Sequence, residues 1–102
     1  MLAYESKTGS QQVDNLFKAI LKLETVEDCY KFFEDICTER EIKSIAQRFE
    51  VARLLVARNT YAEIAEKTGA STATISRVNR ALRHGAGGYQ LVLEKLNSLK
   101  AE

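Results

Sequence analysis

Apolar residues recur every three or four positions along most of the chain, and short polar or glycine-containing breaks divide that rhythm into segments. Val13, Leu16, Phe17, Ile20 and Leu21 predict a helix from about Gln12 to Lys22. Thr25, with Asp28 three residues on, reads as the N-cap of a second helix whose apolar positions are Val26, Cys29, Tyr30, Phe33 and Ile36. Thr38 and Glu41 have the spacing of a capping box, in which the hydroxyl accepts the N3 amide and the carboxylate reaches back to the cap amide. That pair opens a long helix to about Arg58, with a stripe at Ile42, Ile45, Ala46, Phe49, Ala52 and Val56. Asn59 and Thr60 interrupt it, and Thr60 with Glu63 forms another capping box for a short helix. A further helix runs from about Thr72 to His84. Gly85, Gly87 and Gly88 then break the chain before an amphipathic segment carrying Tyr89, Val92, Leu93 and Leu96. The expectation is an all-α chain of six helices, a single domain over residues 11–102 behind a flexible N-terminal arm at residues 1–10.

Within that pattern, Tyr61 to Arg80 (YAEIAEKTGASTATISRVNR) reads as a helix-turn-helix, which extends over about residues 61–83. Ala65 falls where the first helix passes close to the second. Gly69 falls where the turn needs a positive φ, which only glycine adopts cheaply. Ile75 plugs the second helix into the first, with Ile64 and Val78 on the same buried side. An ordinary helical hairpin uses the same turn and spacing, but the residues beyond the turn favour a DNA reader. There is no Asp or Glu from Ser71 to Leu93, while Arg77, Arg80, Arg83 and His84 come after a run of small polar residues. Thr72, Ala73, Ser76 and Arg80 share one helical face, flanked by Arg77 and Arg83. Ser and Thr can contact base edges, Ala73 can meet a thymine methyl, and Arg80 can reach guanine or phosphate. The candidate DNA contacts are therefore Thr60, Ser71, Thr72, Ala73, Thr74, Ser76, Arg77, Arg80 and Arg83.

Composition narrows the function without naming it. The chain has 102 residues and a formal net charge of +1, so attraction to DNA must come from how charge is arranged. The arrangement is uneven: Asp28, Glu34, Asp35, Glu39, Glu41 and Glu50 lie in the first half, and the arginines just named lie in the second. Cys29 and Cys37 have no CxxC spacing and read as buried thiols, not as zinc ligands; no metal site is expected. His84 is the sole histidine, and no Ser/His/acid set or phosphate-binding Gly loop accompanies it, so no catalytic residue is expected and the chain reads as a non-enzyme. Nothing approaches a membrane span, and residues 1–10 lack the basic start and apolar stretch of a signal peptide, which points to a soluble, cytoplasmic protein. Before Thr60 there is more apolar surface than one stripe per helix requires: Val51, Leu54 and Leu55 lie off the long helix's stripe, and Phe32 stands beside Phe33. A second copy of the chain would cover the surplus. A dimeric protein-interaction module that keeps the helix-turn-helix as a scaffold is the alternative, and it would bind DNA weakly and without sequence preference.

From Thr38 to Leu82 the chain resembles the tryptophan repressor family, most closely its YerC/YecD-type relatives. The residues that carry this are Thr38, Glu41 and Arg48, then Thr60 to Ala70 (TYAEIAEKTGA), then Ala73 to Arg77 (ATISR). The resemblance implies a Trp repressor-like fold with intertwined N-terminal helices in a homodimer. It further implies a transcriptional repressor acting on a palindromic operator in double-stranded DNA. It also implies a ligand pocket, since the family's tryptophan-binding members hold the indole between arginines matching Arg48 and Arg77, with a threonine matching Thr38 near the ligand carboxylate. Here the chain departs from the pattern. The glycine that leaves room for the ring is Val78, and a serine at the ligand's amino end is Ala81. The expectation is therefore no tryptophan co-repressor and no cofactor. A different carboxylate ligand at Thr38, Arg48 and Arg77 stays an open alternative, because paired arginines favour a carboxylate.

Overall fold

The computed structural model describes residues 4–101, with side chains described as far as Asn97. Among these residues the order is α1 (Gln11–Ile20), α2 (Val26–Ile36), α3 (Glu39–Val56), α4 (Tyr61–Thr68), α5 (Thr72–His84) and α6 (Gly88–Ala101). They form two compact units that divide after Thr38. The expected arm falls partly outside the described residues, at residues 1–3; residues 4–10 are exposed and non-helical.

The first unit carries α1 and α2. Ser10 caps α1, its hydroxyl accepting the Val13 amide at 3.2 Å. Thr25 caps α2 as expected, accepting the Asp28 amide at 3.0 Å, while Asp28 accepts the Glu24 amide at 3.2 Å. Phe32 and Phe33 meet edge to face with centroids 5.4 Å apart. Neither helix buries a residue. Phe17, Leu21, Val26, Tyr30 and Ile36 are all more than half exposed. Cys29 is exposed and Cys37 half-buried, both as free thiols, which corrects the expectation of buried thiols: the apolar face that would bury Cys29 is itself open to solvent in this chain.

The second unit holds the core. Val51, Ala52 and Leu54 of α3 close over Ile64 and Ala70, with Ile75 and Val78 of α5. Ile64, Ile75 and Val51 have no solvent exposure, and burying aliphatic side chains of this size contributes about 1.5–3 kcal/mol each. The face that α3 turns to this core differs from the expected stripe. Val51, Leu54 and Leu55 pack inward, while Ile45 and Val56, which the stripe placed inside, are half exposed. The helix has two apolar faces that share Ala52, and the helix-turn-helix takes the one with the two leucines.

Candidate nucleic-acid interface

Local hydrogen bonding fixes where each helix of the motif begins. Thr60 and Glu63 complete the expected capping box: the Glu63 amide donates to Thr60 Oγ1 at 3.1 Å, and the Thr60 amide donates to Glu63 Oε1 at 2.9 Å. The Thr60 amide first, and the Thr60 hydroxyl next, hold the Glu63 carboxyl below the ordinary carboxylate range. α4 stops at Gly69, whose φ of 73° is the left-handed conformation the sequence demanded; its amide donates to the Ala65 carbonyl at 2.8 Å. Thr68 steadies the turn by donating to the Ile64 carbonyl at 2.7 Å and accepting the Ala70 amide at 3.1 Å. Ser71 then caps α5, accepting the Thr74 amide at 3.1 Å.

Three side chains tie the motif to its surroundings. Gln47 of α3 donates from Nε2 to the Thr68 carbonyl at 3.1 Å, fastening the end of α4. Gln90 of α6 donates to the Leu82 carbonyl and fastens the end of α5. Asn79 of α5 donates from Nδ2 to the Tyr61 hydroxyl oxygen at 3.0 Å, joining the two helices of the motif directly. Sequence reasoning missed Asn79 and Tyr61, because eighteen residues separate them and nothing local pairs them.

α5 divides sharply around its circumference. Ile75 and Val78 are buried with Leu82 packed against the same core, Thr74, Asn79 and Ala81 lie on the flanks, and Thr72, Ala73, Ser76, Arg77, Arg80, Arg83 and His84 form a continuous exposed face. Of the sequence-derived contacts, Ser71, Thr72, Ala73, Ser76, Arg77, Arg80 and Arg83 are therefore brought together on this face or at its leading end. Thr60 is exposed at the start of α4. Thr74 stands apart: it is half-buried and its hydroxyl lies 3.1 Å from Ser71 Oγ. The exposed face carries cations and no carboxylate, so its potential suits phosphate.

Thr38 ends the first unit and is exposed. Arg48 is exposed on α3 and folds back along its own helix, donating to the Ser44 carbonyl and hydroxyl oxygens at 3.4 Å each. Val78, between Arg77 and Asn79, is 1% exposed and belongs to the core. Ala81 lines a cavity of about 440 Å³ with Phe49, Tyr89, Val92 and the Gly87–Gly88 turn; the lining includes neither Arg48 nor Arg77. No group of His, Cys, Asp and Glu among the described residues could hold a metal ion, and no helix there is long and apolar enough to cross a membrane.

Known proteins match this chain in sequence and in overall fold. The family model "Trp repressor protein" matches residues 11–97. The uncharacterized protein YerC of Bacillus subtilis (strain 168) is 49% identical over 96 residues, 94% of this chain and 92% of the relative. Among solved structures, a TrpR-like protein from Eubacterium eligens ATCC 27750 superposes with a TM-score of 0.84 at 58% identity, covering 86% of this chain and 91% of that one. A candidate Trp repressor from Staphylococcus aureus gives 0.86 at 48% identity, with coverages of 89% and 91%.

Proposed function

The chain belongs to the Trp repressor-like YerC family, and we propose that it is a DNA-binding transcriptional regulator, a repressor that reads a palindromic operator as a homodimer. One observation carries this reading: the open face of α5 is cationic and free of acids, and a closed core and caps at both helix starts hold it in place. Arg80 lies near the middle of that face, where it can reach guanine or phosphate, and Thr72, Ala73 and Ser76 are small enough to let the helix approach base edges. The Trp repressor-like all-α architecture is the frame on which such a face is presented.

The dimer rests on the first unit. Two helices that bury none of their apolar residues lack the driving force to hold a fixed arrangement alone, since tertiary packing supplies most helix stability in proteins. A second copy would cover Phe17, Leu21, Val26 and Ile36, and would set two α5 helices for successive major grooves.

We further propose that DNA binding is independent of tryptophan. Val78 occupies the position that is glycine in tryptophan-binding members of the family, and here it is core. A ligand shifts an equilibrium only by its differential affinity for the two states, and a motif already braced by Val78 leaves tryptophan little to change.

The test is Arg80→Ala, measured by fluorescence anisotropy on duplex DNA across a salt series. Loss of about 1–3 kcal/mol per half-site on a preferred sequence supports a guanine contact. A uniform loss with a shallower salt slope supports a phosphate contact. Unchanged affinity and slope would mean that this face is not the reading surface.

A further inference from the structure

We propose that Tyr61 and Asn79 form a latch that sets the angle between α4 and α5, and that Tyr61 is thereby a positioning residue for sequence reading. The proposal rests on the DNA-binding function given above. The apolar contacts of Ile64, Ile75 and Val78 hold the two helices together, but burial is non-directional and tolerates small rotations about the packed patch. A hydrogen bond is directional and weakens over a few tenths of an ångström. The Asn79 Nδ2 to Tyr61 oxygen bond, at 3.0 Å, supplies that missing constraint.

Its position gives it leverage. Tyr61 is the first residue of α4, beside Thr60. Asn79 lies on the seam between the buried flank of α5 and its open face, adjoining both Val78 and Arg80. From Asn79 to Thr72 is seven residues, about 10 Å of helix. A rotation of about 10° at the latch would therefore move the reading end by about 2 Å, enough to break hydrogen bonds to base edges whose useful range is about 2.7–3.2 Å. Phosphate attraction tolerates such a shift, being long-ranged and not tied to one geometry. The latch therefore acts on discrimination between sequences and leaves general affinity for DNA intact.

The experiment uses the full chain and Tyr61→Phe, Asn79→Ala and the double variant, with affinities for an operator recovered by selection and for random-sequence duplex. Each single variant is expected to lose about five- to tenfold on the operator and nothing on random duplex, and the double variant to lose no more than either single one. In the DNA-free protein, residual dipolar couplings should show the α4–α5 angle changed in Tyr61→Phe, with far-UV circular dichroism unchanged. Equal losses on both DNAs would overturn the proposal in favour of a direct Tyr61–phosphate contact, and additive losses would overturn it in favour of two separate contacts. An unmoved interhelical angle would overturn it whatever the DNA results. A wild-type chain with no sequence preference would sink the DNA-reading function itself, and the couplings would still decide the latch.

Discussion

Asn59 closes the end of α3 on a single acceptor: its backbone amide and its Nδ2 both donate to the carbonyl oxygen of Leu54, each at 3.0 Å. The Arg58 amide donates to the Leu55 carbonyl at 3.0 Å, and together these bonds make a Schellman ending with Arg58 in the left-handed position, φ 67°. Lys67 donates to the remaining Asn59 oxygen at 3.0 Å, so one asparagine links the end of α3 to the last turn of α4. The helix-turn-helix inherits its starting point from this junction.

Arg58 is an L-residue where glycine would be cheaper. The left-handed conformation costs about 1–2 kcal/mol for a residue with a Cβ, and glycine gives back part of that through its freer unfolded chain. Arg58→Gly is expected to stabilise the protein by about 0.5–1 kcal/mol in urea unfolding, seen as a higher midpoint with an unchanged slope. A lower midpoint would mean that the arginine side chain holds the junction in some other way.

The capping box makes stability depend on pH. Hydrogen bonds from Thr60 keep Glu63 ionised to lower pH in the folded chain than in the unfolded one. Its contribution is therefore complete above the ordinary glutamate value of about 4.3 and is lost as pH falls through the depressed folded value. Glu50 shifts in the same direction because Arg53 hydrogen-bonds to it. Glu63→Gln should lower the melting temperature at pH 7 and flatten its fall below about pH 5, leaving the part due to Glu50. A fall as steep as wild type would show that ionisation of Glu63 contributes nothing to the acid dependence.

The proposed independence of tryptophan rests on Val78, which is core here. Calorimetric titration of the wild-type chain with tryptophan is expected to show no binding at micromolar concentration. Val78→Gly should cost about 3 kcal/mol, roughly 2 for the lost buried side chain and 1 for glycine inside a helix. Paired with Ala81→Ser, it should confer measurable tryptophan affinity. Heat of binding from the unaltered protein, with tightened DNA binding, would overturn the steric argument.

Much of this was readable in the residues. Thr60–Glu63 and Gly69 announced a helix start and a helix stop through requirements that few other residues meet, and both stand where expected. The open face of α5 was legible because Ile75 and Val78 fix which side is buried, which leaves the Thr72–Ser76–Arg80 side outward. The packed face of α3 differs from the stripe because two apolar faces share one helix, and periodicity cannot say which of them meets the motif. Arg58 gave no signal, since a left-handed arginine looks like any other in a sequence. The bond between Asn79 and Tyr61 depends on how α4 and α5 cross, which spacing alone does not specify.

Selection from a random duplex pool with the purified protein shows whether the chain reads a DNA sequence as a dimer. The expected result is a palindromic consensus whose half-sites are centred one helical turn apart, about 34–36 Å, recovered equally with and without tryptophan. Recovery of no consensus after repeated rounds, or of a lone half-site from a protein that sediments as a monomer, would contradict it.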